Sequence, residues 1–194
     1  MTRGTLPPDC LLPEDERVIA ARTHWQHTGK QRPAFAEATV AGEESVWDFP
    51  RPPIAEPVEE EVRVCVGEQV IARSLGAVRV LETAGAPTYY LPPQDVDDKI
   101  VIPGAVTSLC EWKGLAQELH VSTADRQIEG AGWRYVRMFP AFAELFEWPS
   151  FYPNKVTCYV GEERVAAQPG GYYGGWVTSR LKGPIKGEPG STGW

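Results

Sequence analysis

The stretch Val62-Arg-Val-Cys-Val-Gly-Glu-Gln-Val-Ile-Ala-Arg73 begins with a pattern in which the same type of side chain recurs at every second residue. Valine occupies alternate positions in its first five residues, a pattern typical of a half-buried β-strand. Gly67-Glu68 then turns the chain into a second apolar run, so the stretch predicts a β-hairpin. A related pattern with the same Val-Gly-Glu turn lies at 158–166, and we interpret it as a second hairpin of the same chemistry.

The rest of the chain continues this β pattern with little helix. Further strands are predicted at 78–83, 87–91, 106–112, 115–121 and 127–136. One short helix is predicted near 140–147, where apolar side chains share a face. We therefore expect a mainly β fold, a compact antiparallel domain.

An N-terminal arm precedes this domain. Residues 14–27 follow a proline and place acidic side chains in the first turn and two histidines in the last, an order that suits a helix dipole. Between Trp47 and Pro57 four prolines favour extended backbone. The sequence thus predicts a helical arm with a Pro-rich linker over 1–57 and a β domain over 58–194.

The segment 168–194 contains eight glycines, three prolines and four aromatic residues. Glycine and proline are too frequent for a regular strand, whereas the large rings are unusual in a free linker. Aromatic side chains can anchor a backbone that glycine allows to turn. We predict an ordered wrap over 168–194.

Composition narrows the classes of function. The chain has 194 residues and a formal charge of −7, of which −6 falls within 41–61. There is no basic stripe for nucleic acid and no run of about 20 apolar residues to span a bilayer, so we expect neither nucleic acid nor membrane as a partner. Four isolated cysteines and the lack of an apolar signal segment after Met1 indicate a cytoplasmic protein.

Several segments together resemble the uncharacterised DUF427 family over roughly residues 45–194. They are Arg79–Glu82, Pro87–Val96, Cys110–Ala116, Phe151–Pro153 and Pro169–Thr178. The resemblance implies a compact β domain similar to the β-tent folds of the Mss4-like group, and it implies no known reaction.

The chain departs from the family pattern in two places. Glu118 stands where an aromatic residue usually follows Lys-Gly-x-Ala, and 132–136 reads Gly-Trp-Arg-Tyr-Val instead of Ala-Trp-x-Tyr-Pro. Paired Cys-x-x-Cys motifs, which hold a metal in related tent folds, are absent, and so is a Gly-Ser pair followed by Asp-x-Asp for nucleotidyl transfer. We expect no metal and no cofactor.

Glu82 is a candidate acid, base or ligand anchor. Strand alternation puts it on the same face as Val78 and Val80, so an inward carboxylate is expected to need Lys113 or a tyrosine hydroxyl as its partner. The alternative is that Glu82 ends the strand and faces water.

Cys110 and Lys113 are further candidates, because a neighbouring ammonium lowers the pKa of a thiol. On a regular strand Lys113 would point away from Cys110, so contact requires a bulge or the turn at Gly114. A buried structural cysteine is the alternative. Only His120 falls in the predicted sheet, and no Cys/His pair is visible.

Aromatic side chains could line a shallow pocket for a cation, a heterocycle or a peptide side chain. The candidate ligand-binding residues are Tyr89, Tyr90, Asp95, Trp112, Trp133 and Tyr135. The alternative is that these rings build the core.

Three classes of function follow. The first is a domain that binds a small molecule in an aromatic and polar pocket partly closed by the C-terminal wrap. The second is a hydrolase or transferase that uses Glu82 as acid or base and Lys113 for charge stabilisation. The third is an interaction module in which 47–57 and the acidic arm dock on a partner or on a second copy, as in a homodimer.

Overall fold

The computed structural model describes residues 6–194, and this part of the chain is mainly β, as predicted. The strands are β1 (Glu44–Ser45), β2 (Ile54–Pro57), β3 (Val62–Val66), β4 (Gln69–Ser74), β5 (Val78–Leu81), β6 (Thr88–Tyr90), β7 (Val101–Cys110), β8 (Gly114–Ser122), β9 (Gln127–Met138), β10 (Ser150–Phe151), β11 (Thr157–Val160), β12 (Glu163–Arg164), β13 (Ala166–Ala167), β14 (Trp176–Val177) and β15 (Leu181–Lys182). The helices are α1 (Glu16–Thr23) and three 3₁₀ helices, Pro8–Cys10, Pro93–Asp95 and Pro140–Leu145.

The two predicted hairpins lie side by side in one four-stranded sheet of order β12-β11-β3-β4. Their inner strands pair antiparallel, with Val62 opposite Val160 and Cys65 opposite Thr157. The turn glycines of the two hairpins, Gly67 and Gly161, have φ values of 59° and 56°. A side chain with a Cβ rarely adopts this left-handed conformation, so the shared Val-Gly-Glu pattern encodes the same turn twice.

A second four-stranded antiparallel sheet has the order β10-β9-β8-β7. Its edge strand β7 begins at Val101, five residues earlier than the sequence predicted. The first residues of the strand were missed because Pro103 and Gly104 are typical strand breakers. An edge strand tolerates proline because the N–H groups on its outer side need no partner. Strands β2, β5 and β6 form a smaller antiparallel sheet.

Part of the predicted arm is built into the β structure. Strand β2 pairs with β5, and β1 pairs in parallel with β15 of the C-terminal segment. Trp47 is fully buried between these elements. The division of the chain at residue 57 stays a prediction, but residues 44–57 share their sheets with the domain.

The predicted helices are shorter in the structure. Helix α1 begins after Asp15, whose carboxylate accepts a hydrogen bond from the Val18 backbone N–H at 3.0 Å. It ends at Thr23, and the chain then places Trp25 against the turn between β7 and β8, where its indole N–H donates to Glu111 at 3.1 Å. The predicted helix at 140–147 is the 3₁₀ helix Pro140–Leu145. None of the helices in the described part of the chain has the length and apolar character to cross a bilayer.

The C-terminal segment is an ordered wrap, as predicted. Trp176 is fully buried, its indole N–H donates to the Phe151 carbonyl oxygen at 2.8 Å, and its ring stacks on Tyr89 with centroids 4.8 Å apart. The wrap therefore contributes to the core instead of lying over it. The likeness to the Mss4-like group stays a prediction.

Candidate functional site

A cavity of about 690 Å³ lies between the second sheet, the β5–β6 hairpin and the C-terminal wrap. Strands β8 and β9 supply Ala116, Trp133 and Tyr135 to its wall, and β5 and β6 supply Val80 and Tyr90. The alternation of side chains along each strand decides which residues reach the cavity.

Six of the nine candidate site residues line this cavity. They are Glu82, Tyr90, Cys110, Lys113, Trp133 and Tyr135. They come from four separate segments of the chain, and the sheet pairing brings them together. Their roles stay predictions at this point.

The other three candidates lie elsewhere. Tyr89 faces the opposite side of β6 from Tyr90 and stacks on Trp176. Asp95 accepts a hydrogen bond from the Ser74 hydroxyl at 2.6 Å and fastens the Pro93–Asp95 helix to the end of β4. Trp112 packs in the core beneath the guanidinium of Arg22, which is 5.2 Å from its ring centroid.

Cys110 and Lys113 reach the same cavity because the chain turns between them. Residues 111–113 form the turn between β7 and β8, so the strand alternation that would separate the two side chains does not apply. The sequence allowed the two side chains to meet only through a bulge or a turn at Gly114; the turn is present, and contact between the thiol and the ammonium stays a prediction. Burial disfavours the charge of the Lys113 ammonium, but Cys110, Tyr90 and two glutamates outweigh this effect and raise the pKa of Lys113 above its ordinary value.

The Lys113 side chain is 7% exposed. No hydrogen bond or ion pair joins its ammonium to any other group within residues 6–194, and the ammonium lies over the Phe142 ring at 5.9 Å from the centroid. The nearby ionisable groups stabilise the charge of this ammonium, but none of them accepts a hydrogen bond from it, so its N–H groups are available to an acceptor in the cavity.

The Tyr90 hydroxyl is also unsatisfied. Tyr90 is 0% exposed, and Thr88, Trp133 and Tyr135 come near its hydroxyl without meeting it in hydrogen-bond geometry. Burial raises the pKa of both Tyr90 and Tyr135, so both hydroxyls are neutral donors at physiological pH. The cavity wall thus contains a free ammonium and a free phenol.

Glu82 has a different partner from the one the sequence predicted. The Arg51 guanidinium binds it through Nε at 3.2 Å and also donates to the carbonyl oxygens of His27 and Thr83, each at 2.8 Å. The expectation of Lys113 or a tyrosine as direct partner was wrong, because a residue 31 positions earlier occupies that place. Arg51 is the one cation among residues 41–61. Its position in this acidic segment was the feature of the sequence that could have identified it as the partner of a carboxylate.

Trp25 and Lys186 complete one side of the cavity and were also missed. The Lys186 ammonium lies 3.6 Å from the Trp25 ring centroid and donates to the Trp194 carbonyl oxygen at 3.2 Å. The Arg51 guanidinium also lies over the Trp25 ring, with its Cζ 4.5 Å from the ring centroid. Burial lowers the pKa of Lys186 to about 8.

We expect this shift to appear in the pH dependence of stability. Between about pH 8 and the ordinary lysine value of 10.5, the unfolded chain binds a proton that folded Lys186 does not. The free energy of unfolding of the wild type should therefore rise across this window relative to Lys186→Met. Chemical denaturation at several pH values measures it, with the exposed Lys30→Met as control. Identical profiles for wild type and Lys186→Met would contradict the assignment.

The C-terminal wrap covers part of the cavity through Tyr173 and Gly174. A Cβ at Gly174 would overlap the Trp133 ring, so glycine is required for the wrap to approach this ring. Tyr172, beside it, is 76% exposed. The glycines and aromatic residues of the wrap thus have a role at the cavity as well as in the core.

In the part of the chain that the structure describes, no group of three or more His, Cys, Asp or Glu side chains is arranged to hold a metal ion. The cavity combines aromatic side chains with many polar and charged ones, and a concave surface of this kind can hold a small molecule.

None of the curated proteins is significantly similar to the chain. A family model described as a domain of unknown function (DUF427) matches residues 54–162, more than half of the chain. The matched range contains all six cavity residues that the sequence predicted, whereas Trp25, Arg51 and Lys186 lie outside it. With this match added to the motifs and the β architecture, the chain belongs to the DUF427 family.

Proposed function

We propose that this protein binds a small molecule in the cavity between the second sheet and the C-terminal wrap. The observation that carries the proposal is a cavity wall that contains the buried Tyr90 hydroxyl, which has no hydrogen-bond partner, and the buried Lys113 ammonium, beside the rings of Trp133 and Tyr135. A volume of about 690 Å³ falls within the range of about 300–1,000 Å³ that is usual for ligand pockets.

Energetics support a ligand at this place. A buried donor without an acceptor costs about 1–3 kcal/mol, and a charged one costs more. Of the four buried side-chain groups without a partner in the described residues, the Tyr90 hydroxyl is the one that lines the cavity, and a bound acceptor there would recover this energy. The alternatives of catalysis with Glu82 and Lys113, and of self-association through 47–57, stay predictions.

A screen of small molecules by thermal shift and by intrinsic tryptophan fluorescence tests the proposal. Binding at 100 times Kd stabilises the folded state by about 2.7 kcal/mol, which raises Tm by several degrees in a domain of this size. Trp133 lies in the cavity wall, so its emission should change with the same compounds.

A pair of tryptophan variants on β7 separates binding in the cavity from binding elsewhere. Ser108 is exposed and lines the cavity, whereas Val106 is exposed on the same strand and does not. Ser108→Trp should reduce the Tm shift by most of its value, and Val106→Trp should keep it. Equal shifts in wild type and Ser108→Trp, or a broad library without any binder, would refute the proposal.

A further inference from the structure

The cations that line the cavity differ in whether they have a hydrogen-bond or ion-pair partner. Arg51 is paired with Glu82, Lys155 donates to the Glu129 carbonyl oxygen at 2.7 Å, and Lys186 donates to Trp194. Among the lining cations of residues 6–194, Lys113 is the one without a hydrogen bond or ion pair. The Lys113 ammonium is therefore the lining cation whose hydrogen bonds are available to a guest.

Two of the three carboxylates of the wall, Glu82 and Glu118, lie beside a cation, and the third, Glu111, has a neutral donor. Glu82 has the Arg51 guanidinium and Glu111 accepts the indole N–H of Trp25. The Glu118 carboxylate and the Lys155 ammonium lie together beside Gly130. The wall has four cations, Arg51, Lys113, Lys155 and Lys186, against the three carboxylates, so its charge balance is positive and favours an anionic guest over a cationic one.

Lys113 and Tyr90 line the same cavity, and both are donors. Two donors in one wall, one of them positively charged, can receive the two oxygens of a carboxylate. A doubly charged phosphate is less suited, because a second cation without a hydrogen-bond partner or a row of backbone N–H groups would be needed for it.

The wall beside these donors is aromatic. The Trp133 and Tyr152 rings contact each other with centroids 4.6 Å apart, and Trp133 meets Tyr90 edge-on at 6.2 Å. Ring faces and edges of this kind favour planar unsaturated guests over branched aliphatic ones.

On the basis of the proposed function, we infer that the ligand is a planar aromatic carboxylate with a single negative charge. Its carboxylate accepts hydrogen bonds from the Lys113 ammonium and the Tyr90 hydroxyl. The ring of this ligand packs against Trp133. The inference names the class of the ligand and concerns the same site.

The test uses three probes of one shape: 2-naphthoate, 2-naphthamide and 2-naphthylmethylammonium. Isothermal titration with the full chain should give a Kd for naphthoate at least tenfold lower than that for the amide, and the ammonium should bind most weakly. Lys113→Met should reduce the acid-to-amide ratio to less than twofold. Lys30→Met removes an exposed lysine outside the cavity and should leave the ratio as in the wild type.

Tyr90→Phe gives a second, independent reading. The hydroxyl has no partner to lose in the free protein, so the Tm of this variant should be unchanged or higher, while naphthoate binds about five- to tenfold more weakly. A lower Tm together with unchanged affinity would assign the hydroxyl a structural role and overturn the inference.

The outcomes separate the two proposals. If acid and amide bind equally and Ser108→Trp blocks both, the cavity binds small molecules but the anionic class is wrong. Tighter binding of the ammonium has the same meaning. If neither the probes nor the library bind, both proposals fail.

Discussion

Arg51→Met is expected to lower the free energy of unfolding by about 3–5 kcal/mol, because three acceptors that are buried or partly buried lose their donor at a cost of about 1–3 kcal/mol each. The Arg51 side chain is 2% exposed and joins Glu82 to the carbonyl oxygens of His27 and Thr83. Methionine would fill much of the space but leave one carboxylate and two carbonyl oxygens without their donor. Urea unfolding of the wild type and the variant measures the difference.

Two controls make this prediction specific. Arg73→Met removes an exposed arginine whose ion pair with Glu61 is 3.7 Å long, and it should change stability by no more than about 0.5 kcal/mol. Arg51→Lys keeps the charge but not the planar fork that reaches three acceptors, so it should be intermediate. A wild-type unfolding midpoint for Arg51→Met would show that the network is dispensable.

The hairpins could be predicted from the sequence because their information is local. Alternation of valines and a glycine turn at Gly67 specify strand, turn and face within a dozen residues. The edge strand β7 was predicted too short, since Pro103 and Gly104 are read as breakers unless the strand is known to lie at an edge. Local sequence thus determines where strands and turns form. The position of a strand in its sheet determines how many proline and glycine residues it tolerates.

The site was only partly predictable, because its geometry depends on contacts between distant segments. Adjacent tyrosines must point to opposite faces of β6, but the sequence does not say that Tyr90 and not Tyr89 faces the cavity. The turn at 111–113 brings Cys110 and Lys113 together, and periodicity alone argued against this. Arg51 came from a segment interpreted as a linker.

Trp176→Ala is expected to cost about 3–5 kcal/mol of unfolding free energy, the usual range for truncating a fully buried tryptophan. The change removes the ring that stacks on Tyr89 and the N–H that satisfies the Phe151 carbonyl oxygen, so a core cavity and an unpaired acceptor arise together. Because Trp176 lies in the wrap, the loss would show that the C-terminal segment stabilises the whole domain. Thermal and urea unfolding followed by far-UV circular dichroism measures it.

Tyr172 in the same wrap is the matched control. It is an aromatic residue four positions from Trp176 but is largely exposed, so Tyr172→Ala should change stability by less than about 0.5 kcal/mol. Trp176→Phe should fall between the two variants, because it keeps a ring against Tyr89 and loses the donor to Phe151. Equal stabilities for Trp176→Ala and Tyr172→Ala would mean that the wrap only covers the core. In that case Trp176 would not be needed to hold the wrap in place at the cavity.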